Sequence, residues 1–221
     1  KVRIPGIGAN NSGTPSVVRS QADADALGLG TVSGFGFIHY PVGYIFNGTM
    51  GAAQWCNDPS MVLLDIITNH RYGLGDQIAP NYDPNNPSDV DLFENIDLYS
   101  YFSASYNASR LIDLEDGSKE ARFSCNVSIQ GTAEAFSVIN ELAGVMRAFP
   151  IWQSGEISLT QDRQTDPSYL FSLANVGEAG FSYSGSSLRQ RHSVISVSYF
   201  NMDSREVDYE DVQDDVAVDK L

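Results

Sequence analysis

The stretch from Asn57 to Gly75, NDPSMVLLDIITNHRYGLG, restricts the fold more than any other part of the chain. Asp58 is suited to cap a helix, and Pro59 to its first turn, where a missing N–H is no loss and φ is already helical. Met61, Val62, Leu63, Leu64, Ile66 and Ile67 cover most of the helical circumference and leave Asp65, Thr68 and Asn69 as a narrow polar strip. A helix so patterned is buried on most sides. His70 falls near its last turn, where a cation is favoured by the helix dipole. Arg71-Tyr72-Gly73-Leu74-Gly75 then sets two glycines where a helix stops through a left-handed residue, with Leu74 placed to fold back as an apolar plug.

Around this unit the chain reads as an α+β protein, with mixed, mainly antiparallel sheets and about three helices packed on them. Val2 and Ile4 alternate into Pro5 as a strand end, and the Asn-Asn-Ser-Gly-Thr-Pro run from Asn10 is a loop. Gly28, Gly30, Gly34 and Gly36 match no phosphate-binding spacing and read as a flexible loop or a bulged hairpin. Phe35, Phe37, Tyr40, Tyr44 and Phe46 suggest aromatic strands broken at Pro41, packed in a core. A second helix is expected from about Asn95 to Asn107, with Ile96, Tyr99, Phe102 and Tyr106 turned inward.

Glu115-Asp116-Gly117 signals a hairpin turn. Beyond it, Phe123, Cys125, Val127 and Ile129 alternate with Ser124, Asn126 and Ser128 as a one-sided strand. Thr132 is placed to cap a third helix whose stripe is Ala135, Phe136, Ile139, Leu142, Ala143 and Met146. A hairpin follows across Ser154-Gly155, with Trp152, Ile157 and Leu159 as packing residues. A long strand is expected from Arg191 to Phe200. From Asp203 the chain has eight acids against Arg205 and Lys220, which reads as a solvated connector. The expected domains are therefore 1–120, a glycine- and aromatic-rich strand region with buried helices, 121–202, a strand–helix–hairpin subdomain, and 203–221, the connector toward a following domain. Lys1 opens directly onto a strand-like segment, so the chain is expected to be a piece of a longer protein.

Composition narrows the function classes. In 221 residues, 42% are hydrophobic and 11% aromatic, ample for a packed core. With 13 Lys+Arg against 28 Asp+Glu, the formal charge is −15, which argues against nucleic acid or an anionic membrane as partner. No apolar run reaches the roughly 18 residues of a membrane span. Cys56 and Cys125 read as isolated buried thiols rather than a disulfide framework. His39, His70 and His192 lie in unrelated contexts and no hydrolase or metalloprotease motif is present. Asp83, Asn85 and Asp89 lack the glycine and terminal glutamate of a calcium loop. The expectation is no enzyme, no metal and no cofactor.

Taken in order, Gly48, Trp55, Asn57, Pro59, an apolar helix and then Arg71, Tyr72, Gly73, Leu74 and Gly75 resemble a segment of the central tail-tip proteins of lambda-like long-tailed bacteriophages, the host-specificity or tip attachment proteins. In that family Asn and Pro are usually adjacent, whereas Asp58 intervenes here, and Ile66-Ile67-Thr68 stands for Leu-Leu-Thr. Asn126, the helix around Ile139, Trp152, Gly155, Asp162, Asn175-Val176 and Phe181-Ser182-Tyr183-Ser184 continue the resemblance, which spans roughly Gly48 to Phe200.

The resemblance makes Trp55, Asn57, Pro59, Arg71, Tyr72, Gly73 and Gly75 family-motif residues with a structural role. It implies baseplate-hub-like domains in a homotrimer that closes the tail tube, links it to the central fibre and takes part in host attachment and genome delivery. Distal tail and other tail-tip proteins are the implied partners, without sequence-specific nucleic-acid binding. The implied location is the virion tail tip, assembled in the cytoplasm of the host bacterium. The alternative, resting on the aromatic Phe35 to Phe46 region, is a receptor- or carbohydrate-binding module.

Overall fold

In the computed structural model, which describes residues 1–81, 95–129, 134–172, 174–177, 180–185, 187, 192–201 and 204–218, the alternation at the N-terminus does form a strand. This is β1 (Val2–Pro5), with Val2 and Ile4 buried. A 3₁₀ turn (Ala9–Asn11) with Asn10 and Asn11 at positive φ leads to β2 (Ser16–Val17) and α1 (Gln21–Ala26), which is capped by Ser20. The glycine-rich loop runs on to β3 (Ile38–His39) and β4 (Met50–Gln54). Of the expected aromatic strands only β3 forms; Tyr44 and Phe46 lie in loop and are nonetheless buried.

The central helix is α2 (Pro59–Thr68), and α3 (Gly75–Ile78) is a single turn behind it. Next come α4 (Leu98–Ala108), the hairpin of β5 (Leu111–Asp113) and β6 (Lys119–Ala121), α5 (Ala135–Val145), and the hairpin of β7 (Ala148–Gln153) and β8 (Glu156–Gln161). Further on lie β9 (Val194–Asn201), β10 (Glu206–Gln213) and the turn α6 (Asp215–Val218). Strands pair antiparallel as β1 with β4, β2 with β3, β5 with β6, β7 with β8 and β9 with β10. The fold class is α+β, with α2, α4 and α5 as the helices of substance.

The chain divides into units Lys1–Thr165 and Asp166–Leu221. In the first, Ile4, Ile38, Phe46, Met61, Leu63, Ile67, Tyr101, Leu142, Met146 and Leu159 belong to one core, so strands from both ends of the unit meet around α2. The second has the β9–β10 hairpin, paired in register from Val194 with Gln213 to Asn201 with Glu206. Residues 206–213, read from their acids as connector, are therefore strand: Val207, Tyr209 and Val212, interspersed among the carboxylates, supply a strand propensity that the charge obscured.

Further expectations are corrected. The second helix begins at Leu98, capped by Asp97, and its buried positions are Asn107 together with Tyr101, Ala104, Ser105 and Ala108, the last four an i, i+3, i+4, i+7 face. Tyr99 and Tyr106 are largely exposed and Phe102 is half-buried. Apart from Tyr101, the residues that face inward are small, because α2 approaches α4 closely there. Ser60 Oγ donates to Tyr101 O across 2.8 Å, a distance that bulky residues along that face would not allow.

Phe123 to Ile129 does not pair as a strand; Phe123 N–H bonds Ala108 O and Cys125 N–H bonds Asn57 O, and beyond Cys125 the segment is exposed. In α5, Leu142 and Ala143 are buried, and Met146 just past its end, but Ala135 and Phe136 are exposed, because the core reaches only the C-terminal half. Trp152, expected to pack, is exposed, whereas Leu159 is buried. The turn between β7 and β8 is as read: Ser154 and Gly155 have φ of 56° and 90°, the two positive values a tight hairpin turn needs. The expectations placed on Asp83, Asn85, Asp89 and Thr132 lie outside the described residues.

Candidate functional site

Asp58 caps α2 as its side-chain chemistry dictates, with Oδ1 accepting from Met61 N–H at 2.9 Å and Pro59 at the start of the helix. Its other oxygen reaches further. Oδ2 accepts from Ser105 Oγ at 2.8 Å and from Ser109 Oγ at 3.2 Å, both near the C-terminal end of α4. Tyr40 Oη lies 2.6 Å from Ser105 Oγ; with Ser105 donating to Asp58, Tyr40 is the donor in that contact. The carboxylate is fully buried, and desolvation holds it above the usual carboxylate range although the hydroxyls and the cap N–H pull the other way. Burial and the nearby Asp58 push the Cys56 thiol up to about 12, and Cys125 is raised by the same two causes. Both thiols are free.

At the other end α2 stops because Asn69 is extended, with φ −82° and ψ 122°. The chain then doubles back over the last turn. Leu74 N–H donates to Ile66 O at 3.0 Å, while Gly73 and Gly75 N–H both reach Asn69 O. Neither glycine has a positive φ, which corrects the expectation of a left-handed stop. Their role is contact: a Cβ on Gly73 would sit 1.7 Å from Ile66 O, and one on Gly75 would sit 2.5 Å from Thr68 O. Leu74 is half-buried, and its N–H rather than an apolar plug engages the helix. This return satisfies helix-end carbonyls that would otherwise be orphaned.

The remaining motif residues divide between support and surface. Tyr72 is largely exposed, with its hydroxyl on Asp65 Oδ2, and burial still keeps Asp65 above its usual range. Arg71 is exposed; its backbone N–H bonds Asn69 Oδ1. His70 lies past the helix end and meets Asp76 Oδ1 at 2.7 Å, so its partner is a carboxylate and not the helix dipole. Asn57 is buried and ties three segments: its N–H bonds Gly36 O, its amide Nδ2 bonds Phe35 O, and its carbonyl accepts from Cys125 N–H. Trp55 is half-exposed and lies against Gly36, where a Cβ would come within 2.9 Å of the indole ring.

No family model matches the chain. It is 29% identical to the protein named Tip attachment protein J of Escherichia phage SECphi27 over 154 residues, which is 70% of this chain and 12% of that protein. Against the protein of the same name from Escherichia phage SECphi4 it is 22% identical over 165 residues, 73% of this chain and 13% of that protein. The chain is a homologue of the phage tip attachment proteins.

In this tip attachment homologue, sequence reasoning found the cap, the proline and both glycines. It missed that Asp58 also clamps α4, since nothing local to Asp58 names Ser105 and Ser109 as partners. It missed as well that α4 turns Tyr99 and Tyr106 outward. There they join Tyr40, Tyr44, Phe46 and Phe102, with Phe46 and Phe102 stacked at 4.8 Å and Tyr40 edge-on to Phe102 at 5.5 Å. Among the described residues no group of three or more His, Cys, Asp or Glu side chains is arranged to hold a metal ion, and no helix is long and apolar enough to cross a membrane.

Proposed function

We propose that this chain is a structural segment of a phage tail tip: a baseplate-hub region, assembled as a homotrimer with distal tail and other tail-tip proteins, that closes the tail tube and links it to the central fibre. Through that assembly it takes part in host attachment and genome delivery, and it does so without enzymatic activity. The observation behind this reading is the way the motif residues are used. Asn57, Gly73 and Gly75 make backbone contacts that bind the ends of α2 to neighbouring segments, and the side chain of the intervening Asp58 ties α2 to α4, which suits a rigid part of a larger assembly. The two homologues, several times longer than the aligned stretch, support it.

The charge of −15 fits a part beside a DNA conduit, where like-charge repulsion lets the genome slide without adhering. Cryo-electron microscopy of intact tails from the source phage tests the reading. Three copies of residues 1–165 around the tail axis are expected; a position away from the axis, or a monomer at the fibre end, contradicts it. Reversing charges that face the lumen should slow genome ejection, and unchanged ejection would remove the channel role.

The aromatic cluster around Tyr40 and Phe102, with Tyr99 and Tyr106 exposed at its edge, favours a second reading, a receptor- or carbohydrate-binding surface, because exposed rings stack on sugar faces. Binding of the isolated chain to host cells would support that reading. Co-assembly with tail components and no cell binding would support the hub.

A further inference from the structure

Residues 126–129 present an open backbone edge. Among the described residues, the N–H and C=O groups of Asn126, Val127, Ser128 and Ile129 have no hydrogen-bond partner, although Cys125 immediately before them is bonded to Asn57. Val127 and Ile129 are 59% and 49% exposed. Between this segment and α5 runs a groove of about 520 Å³ whose helix wall is Val138, Leu142 and Val145 with the carboxylate of Glu141. Backbone edge, alternating apolar side chains and an apolar trough thus coincide.

We infer that this edge is a docking site for an extended segment of another polypeptide, which adds as a β-strand along 126–129 and lays alternate apolar side chains into the groove. Along a strand the amides and carbonyls of alternate residues point to the same edge, where another extended backbone satisfies them together, and strand addition onto an exposed edge is a recurring mode of peptide recognition. Glu141 sets the charge of the occupant: it makes no ion pair among the described residues, so a strand with Lys or Arg opposite it is preferred. A second copy offering the same edge is disfavoured, because Ser124 to Ile129 contains no cation and the copy would bring its own Glu141. The inference is independent of the tail reading, since the open edge is present whatever the chain assembles into.

Amide hydrogen exchange on the full chain tests it, using as probe a synthetic seven-residue strand peptide alternating valine with lysine and threonine, and a control with glutamate in place of each lysine. The lysine peptide should slow exchange at alternate amides of 126–129 at least tenfold and the glutamate peptide should not. Asn126→Pro and Val127→Pro each remove an N–H that the folded chain does not use, so both should preserve the fold and the one whose N–H faces the docked strand should abolish the effect. Glu141→Gln should remove the preference for lysine. Protection of these amides without peptide, protection that grows only with protein concentration, equal protection by both peptides, or none at all would each overturn the inference.

Discussion

Ser105 Oγ donates a 2.8 Å hydrogen bond to Asp58 Oδ2, so a side chain near the end of α4 holds the residue that caps α2. A single carboxylate thereby starts one helix and fixes another against it. Ser109 and, through Ser105, Tyr40 complete the network.

That carboxylate gives the fold a pH dependence of definite sign. Burial raises the folded pKa of Asp58 above the ordinary carboxylate value. The fold therefore favours the protonated form: the favourable contribution is full below the unfolded pKa and is lost as pH rises through the folded value. Asp58→Asn keeps a capping oxygen and cannot ionise. Relative to this variant, the wild type should lose stability between acidic and neutral pH in denaturant titrations, and parallel pH profiles would contradict the assignment. Asp58→Ala should destabilise at every pH, by about 1–3 kcal/mol, because cap and hydroxyl partners are both lost.

Tyr72→Phe removes the hydroxyl that donates to Asp65. The expected loss is about 1 kcal/mol or less, as the phenol is largely exposed. Donation from Tyr72 opposes the rise that burial imposes on Asp65, so the variant should titrate this carboxyl at a higher pH, which carbon-detected NMR of the side chain can measure. An unchanged titration would show that the contact does not form in solution.

Arg71 separates folding from assembly. Its side chain is exposed and makes no ion pair among the described residues. Arg71→Ala should leave stability within about 0.5 kcal/mol of wild type. If the motif serves the tail tip through this guanidinium, the same variant should reduce incorporation into tails, scored by immunoblot of purified particles. A strong loss of stability would instead make Arg71 part of the fold.

How much of this was legible in the sequence depended on range. The cap at Asp58, the proline start, the turn at Ser154-Gly155 and the alternation of Val2 with Ile4 are local signals, set by neighbouring residues alone. The buried face of α4 was misread because aromatic side chains were expected to be inside, whereas close approach of α2 required Ala104, Ser105 and Ala108 there. Phe123 to Ile129 has strand alternation without a strand partner, and pairing is a property of two segments that one pattern cannot reveal. At Gly73 and Gly75 the residue type was informative but the reason was not: glycine serves a left-handed turn and a close backbone approach equally well, and only coordinates distinguish them.

The central claim is that the RYGLG segment grips the end of α2 by backbone contact, and chemical denaturation of Gly73→Ala beside Gly144→Ala tests it most directly. A Cβ at Gly144, inside α5, meets nothing within 4 Å. That substitution should stabilise by about 0.5–1 kcal/mol through lower unfolded-chain entropy and better helix propensity. The Cβ at Gly73 would lie 1.7 Å from Ile66 O, so Gly73→Ala should destabilise by about 3 kcal/mol or more. A Gly73→Ala variant as stable as wild type would contradict the account.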